Sequence, residues 1–214
     1  MFLGLNQAWA IPTPVEKLNL ASLERSWPTL ILKIDVKNLV GPQDAGKLTN
    51  EQLKSRVDAA NEVWTQCAIQ FVPRVVQNIE AQALNVPYRP QSSEDLSKIA
   101  ATLNPNGFEK ALPFTIAGPW NFYDKTSGLY LTGLGWVFMN GPKINRIGAM
   151  VSADKAFLPK GGPIIAHELA HALSLPHTVE AQNLMGSAGT NTLTHDQCVQ
   201  ARKFAQSSLA TYLE

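Results

Sequence analysis

The run from His167 to His177 concentrates the side chains able to do chemistry. His167-Glu168-Leu169-Ala170-His171 sets two imidazoles four residues apart with a carboxylate beside the first, and His177 follows six residues later. Three of the chain's four histidines lie in this run. On a helix, positions i and i+4 share a face, so His167 and His171 can hold one ion between them. Zinc takes neutral imidazole nitrogens in a tetrahedron and, in catalytic sites, leaves a fourth position to water. Glu168 falls on the flank of that face, within reach of such a water. There it can take a proton and later deliver it to a departing amine. The pattern H-E-x-x-H is that of zinc hydrolases.

The longer run His167-Glu168-Leu169-Ala170-His171-Ala172-Leu173-Ser174-Leu175-Pro176-His177 resembles the metzincin signature H-E-x-x-H-x-x-G-x-x-H. Asn183-Leu184-Met185-Gly186 resembles the Met-turn of that clan. The likeness covers residues 162–186 closely and the rest in outline, and it is nearest to the matrixin-like, bacterial secreted branch. It implies that His167, His171 and His177 bind one catalytic Zn2+. It implies that Glu168 is general base and acid, and that Met185 is the hydrophobic floor under the metal. A protein or peptide would be the substrate. The implied fold is α/β (α+β): a twisted mixed sheet with an active-site helix and a backing helix, and a small C-terminal subdomain carrying the Met-turn and a terminal helix. One position departs from the signature, because its glycine is Ser174 here. If the chain must turn there with positive φ, serine costs about 1 kcal/mol relative to glycine.

Two other readings compete. A zincin of another class would take an acidic third ligand. Beyond His171 the carboxylates are Glu180, Asp196 and Glu214, and Asp196 is the candidate. A zinc-stabilised binding module without catalysis is the other, and Glu168 speaks against it, because a purely structural site needs no base. His177 is favoured over Asp196. A neutral imidazole suits zinc, Pro176 disfavours helix at Leu175, and Asp196 suits the first turn of a helix.

Composition sets the frame. With 214 residues and 45% hydrophobic side chains the chain can bury one domain's core. A net charge of +1 gives no electrostatic case for nucleic acid, and no apolar run is long enough to span a membrane. A monomer is expected. Met1 to Ala10 is mildly apolar and ends Ala8-Trp9-Ala10. It reads as the stub of a secretory signal or as an N-terminal strand, the former placing the protein outside the cell or in the periplasm. Residues 1–28 are read as leader or short pro-segment, in which Glu16 or Glu24 could block a metal. Residues 29–214 are read as one catalytic domain, with an upper part 29–177 and a lower part 178–214. Cys67 and Cys198 form either a single bridge or two buried thiols. Calcium is left undetermined, since Asp124 has no cluster of ligands around it.

The elements that must position the run follow from periodicity. Leu30, Leu32, Ile34 and Val36 alternate with Lys33, Asp35 and Lys37, which predicts a strand over 29–37. Thr49-Asn50-Glu51-Gln52 is a capping box opening a helix whose apolar stripe is Leu53, Val57, Ala60, Trp64 and Cys67. A second strand, Ile69 to Val76, would pair in parallel with the first. A short helix near Glu94 to Leu103 is expected, then strands Phe114–Trp120, Leu129–Met139 and Ile147–Ser152, with Asn121–Ser127 a polar loop. Gly133 and Gly135 mark close backbone approach or a bulge. The resemblance would make Gly133, Leu134, Gly135 and Trp136 the edge strand that binds extended substrate. It would also make Gly186 to Asn191 the wall of the pocket beyond the cleaved bond. Gly161-Gly162-Pro163 opens the helix of the histidines. Thr194-His195-Asp196-Gln197 caps a last helix with Cys198, Ala201, Ala205 and Leu209 on one side, leaving His195 an exposed first-turn residue.

Overall fold

The computed structural model describes residues 27–104, 111–120, 122–124, 129–131, 133–140, 143–153, 161–186 and 190–209, with residues 136–140 among those described by backbone alone. The expectations for residues 1–26, including Glu16 and Glu24, lie outside the described residues. So do those for the side chains of Trp136 and Asp124 and for Ser187–Gly189.

Strand β1 (Leu30–Val40) forms where apolar and polar residues alternate, and Leu32, Ile34 and Val36 are fully buried. Helix α1 (Asn50–Trp64) starts at the Thr49 capping box, with Thr49 and Gln52 exchanging side-chain and backbone hydrogen bonds. Its stripe Leu53, Val57, Ala60 and Trp64 is buried, and Cys67 follows, buried, in a tighter turn. Strand β2 (Ile69–Glu80) pairs in parallel with β1. It runs past Pro73, further than expected, because Arg74 is skipped in the register between Ile34 and Asp35. A bulge on an outer strand tolerates the missing N–H of a proline.

Helix α2 (Ser93–Leu103) is capped by Ser92. Strand β3 (Leu112–Ala117) is buried along its whole length. The expected single strand Leu129–Met139 is two. β5 (Leu129–Leu131) pairs antiparallel with β4 (Phe122–Asp124), which lies within the segment expected to be a loop. β6 (Gly133–Asn140) instead joins the main sheet, antiparallel to β7 (Lys143–Ser152), with a register slip between Phe138 and Met139. Local pattern could not separate them, because both pieces are apolar and only their pairing partners differ.

The main sheet is mixed and five-stranded, in the order β2-β1-β3-β7-β6, so β6 is an edge. One face packs on α1 and on α3 (Gly161–Ala172), and the other carries a smaller cluster built on Leu96, Ile99 and Leu103 of α2. Helix α4 (His195–Ser208) begins at its Thr194 capping box and buries Cys198, Ala201 and Ala205, with Leu209 after it. Cys67 and Cys198 are bonded, with Cα atoms 4.9 Å apart, closing 131 residues. Beside the bridge the Arg202 guanidinium donates to the carbonyls of Cys67, Ala68 and Pro28 and lies over the Trp27 ring. Among the described residues no helix is long and apolar enough to cross a membrane.

Candidate metal centre

Ile165, Leu169 and Ala172 are fully buried and fix which side of α3 faces the sheet. Trp64 of α1 adds a hydrogen bond from its indole N–H to the Ala166 carbonyl. The opposite side then presents His167 and His171, each half-buried, with ring centroids 4.8 Å apart.

The chain reverses directly after α3. Ser174 takes φ +65°, its N–H reaches the His171 carbonyl, and the Leu175 N–H reaches back to Ala170. These bonds make a Schellman motif, the usual end of a helix at a glycine. Serine holds the left-handed position here, and Gln200 of α4 donates its side-chain amide to the Ser174 carbonyl. Pro176 then directs the exposed His177 back over α3.

The three rings converge. His177 Nε2 lies 3.2 Å from His167 Nε2 and 3.1 Å from His171 Nε2. His167 Nδ1 meets the Leu184 carbonyl at 2.7 Å, and His171 Nδ1 meets the Leu175 carbonyl at 2.9 Å. A carbonyl oxygen has no proton to give, so both Nδ1 atoms donate. In the neutral ring each Nε2 is then a bare acceptor. Burial is the main force holding the His171 ring well below the usual imidazole range, at about 4, and it lowers His167 too, so both rings stay neutral. Two acceptors therefore face one nitrogen that carries at most a single proton. A cation resolves that conflict. Tetrahedral zinc with nitrogens at about 2.0–2.1 Å sets them about 3.3 Å apart, close to the two spacings at His177, and all three ligand atoms lie within 4.8 Å of one another. The donor set thus fits zinc, and the two backbone acceptors are the partners that metal-binding histidines ordinarily have. Among the described residues, this is the one group of histidine, cysteine and carboxylate side chains close enough to hold a metal.

Glu168 is 7% exposed. Burial pushes its carboxyl up to about 8, against a hydrogen bond from the Gly135 backbone that favours the ionised form. Gly133 and Gly135 face α3 at this point, so a Cβ on Gly133 would overlap the Glu168 carboxylate. One on Gly135 would overlap the Glu168 carbonyl and His171 Cβ. Leu134 points the other way and packs on the α2 cluster.

Met185 is fully buried in a turn whose Gly186 N–H bonds the Asn183 carbonyl. That turn touches the histidines on both sides, through Leu184 on His167 and through the Met185 carbonyl, which accepts from Thr178 beside His177. Asn183 and Gln197 of the α4 capping box pair side chain to side chain, which ties the turn to α4. From the sequence, Asn183 was legible only as the start of the run resembling the Met-turn and Gln197 only as a cap, while nothing local marks Gln200. His195 is half-buried rather than exposed, because its ring stacks on Trp27 at 5.3 Å. Asp196 is exposed in the first turn of α4 and is not part of the histidine group.

No protein-family model matches the sequence. No curated protein matches it either. Among solved structures the chain is similar to metalloproteinase-II from Bacteroides fragilis, with a TM-score of 0.50 at 15% identity over 84% of this chain. It spans 55% of that protein's length, just over half. The likeness is one of fold. A weaker similarity, TM-score 0.45 at 15% identity, is to archaemetzincin from Methanopyrus kandleri, over 80% of this chain and 96% of that one.

Proposed function

We propose that the chain is a zinc-dependent endopeptidase of the metzincin type. The observation that carries this reading is the meeting of three imidazole Nε2 atoms, two of them made bare acceptors by carbonyls at Nδ1. His167, His171 and His177 would hold the ion. Bound there, zinc supplies a Lewis acid that polarises a carbonyl oxygen and acidifies water. The charge of a bound zinc would offset the burial that favours the protonated carboxyl, so that Glu168 Oε would accept the proton of the attacking water and return it to the departing amine nitrogen. The edge of β6, from Gly133 to Trp136, would bind the substrate backbone as an added strand, a reading supported by its place at the end of the sheet. Met185 would floor the site, supported by its burial in the turn that grips His167. Residues 29–177 and 178–214 would act as the two halves of one catalytic domain, since Leu184, Met185 and Cys198 share one core with the sheet.

The test is to load the purified protein with zinc, measure bound metal, and follow cleavage of casein. About one zinc per chain is expected, with hydrolysis that stops on chelation and returns with added zinc. Tight zinc binding without cleavage would favour the binding-module reading instead.

A further inference from the structure

The two glycines of β6 have a use that edge-strand pairing does not require. Side chains alternate along a strand, so Gly133 and Gly135 lie on one face and Leu134 on the other. Leu134 fills the α2 cluster as an ordinary strand residue does. On the face toward α3, a layer of side chains would normally separate helix from sheet. Here that layer is missing at two consecutive positions. The space it would fill holds the Oε1, Cδ and Cγ atoms of Glu168 at Gly133, and the Glu168 carbonyl and His171 Cβ at Gly135. A carboxylate this deeply buried is costly unless donors meet it, and the Gly135 backbone supplies one.

We propose that Gly133 and Gly135 are positioning residues, forming a bare seat on the edge strand that holds the Glu168 carboxylate in place for proton transfer. The catalytic half of this proposal rests on the peptidase reading, whereas the seat itself rests on the packing of β6 against α3. The seat works through volume at Gly133 and through volume plus one N–H at Gly135. Any side chain at Gly133 must displace the carboxylate or push the strand from the helix. The histidines lie on the solvent side of α3, so displacing Glu168 leaves the three nitrogens able to gather.

The experiment is a double-mutant cycle on the zinc-loaded full chain, comparing wild type, Gly133→Ala, Glu168→Ala and the pair. Thermal midpoint, bound zinc, and kcat and KM on casein are read for each. Gly133→Ala should lower kcat at least about tenfold with KM within about twofold and zinc unchanged. Its midpoint should fall by several degrees, about 5 °C, in the glutamate background and by less than about 1 °C in the Glu168→Ala background, where the obstructed atoms are gone. An equal fall in both backgrounds, or unchanged kcat in Gly133→Ala, overturns the seat. If Gly133→Ala alone fails to fold, the folded state of the double variant and amide exchange decide. In Glu168→Ala the Gly135 amide should exchange at least about tenfold faster than in wild type, and unchanged exchange overturns the proposal. Wild type that binds zinc and leaves casein intact overturns the peptidase reading instead, with the melting cycle still reporting on the seat.

Discussion

In the proposed reaction, Glu168 and His177 are the residues on which the chemistry would turn. Glutamine matches the shape of Glu168 and keeps an oxygen to accept from the Gly135 backbone, but cannot take up a proton. Glu168→Gln should therefore retain about one zinc per chain while kcat on casein drops by about 10²–10⁴-fold, the usual worth of a positioned proton carrier. A variant within tenfold of wild type would show that another group moves the proton. His177 is exposed and reaches the cluster only through its Nε2, whereas Asp196 lies outside it. His177→Ala should weaken zinc binding by at least about a hundredfold, as read by competition with a chromophoric chelator, and Asp196→Ala should leave it unchanged. The reverse pattern would assign the third ligand to Asp196 and with it a different class of zincin.

At the scale of elements, the end of α3 determines whether the third histidine can return. The Schellman motif at Ser174 places a Cβ at φ +65°, where glycine has no penalty. Ser174→Gly should raise stability by about 0.5–1 kcal/mol, or roughly 1–4 °C in thermal midpoint for a domain of this size. Zinc affinity should be unchanged, because the geometry is already that of the glycine turn. A lower midpoint would mean that the serine side chain contributes more than its strain costs. Gln200 braces the same turn from α4 by bonding the Ser174 carbonyl. The loop is thus held from outside as well as by its own backbone.

Across the whole molecule, α4 is attached at three places: the Cys67–Cys198 bridge, Arg202 on three backbone carbonyls, and the Asn183–Gln197 pair. The bridge constrains an unfolded chain over 131 residues. Replacing both cysteines by serine should cost about 2–4 kcal/mol, seen as a lower denaturant midpoint at unchanged slope. Intact zinc binding in the folded variant is expected, since Arg202 and Gln197 still hold α4 against the sheet and the Met185 turn. A midpoint equal to wild type would mean the bridge adds nothing beyond packing.

The sequence by itself determined the parts that depend on short spacing. Alternation in Leu30–Val36, the capping boxes at Thr49 and Thr194, and the i, i+4 histidines are local patterns, and the backbone period of each element turns them into faces. The mixed α/β class followed from their order, and the structure has it. Pairing choices were not local. Whether Leu129–Leu131 and Gly133–Asn140 were one strand or two depended on partners elsewhere in the chain, and Arg74 could be skipped only because β1 offered the register. Only the tertiary structure decided that Leu184 and Leu175 carbonyls would polarise two rings, that Glu168 would lie buried against two glycines, and that His195 would stack on Trp27. Each of these is a contact across a turn or between layers, made by backbone atoms or by missing side chains. Residue type says nothing about which carbonyl will face a ring, so no spacing rule could have found them.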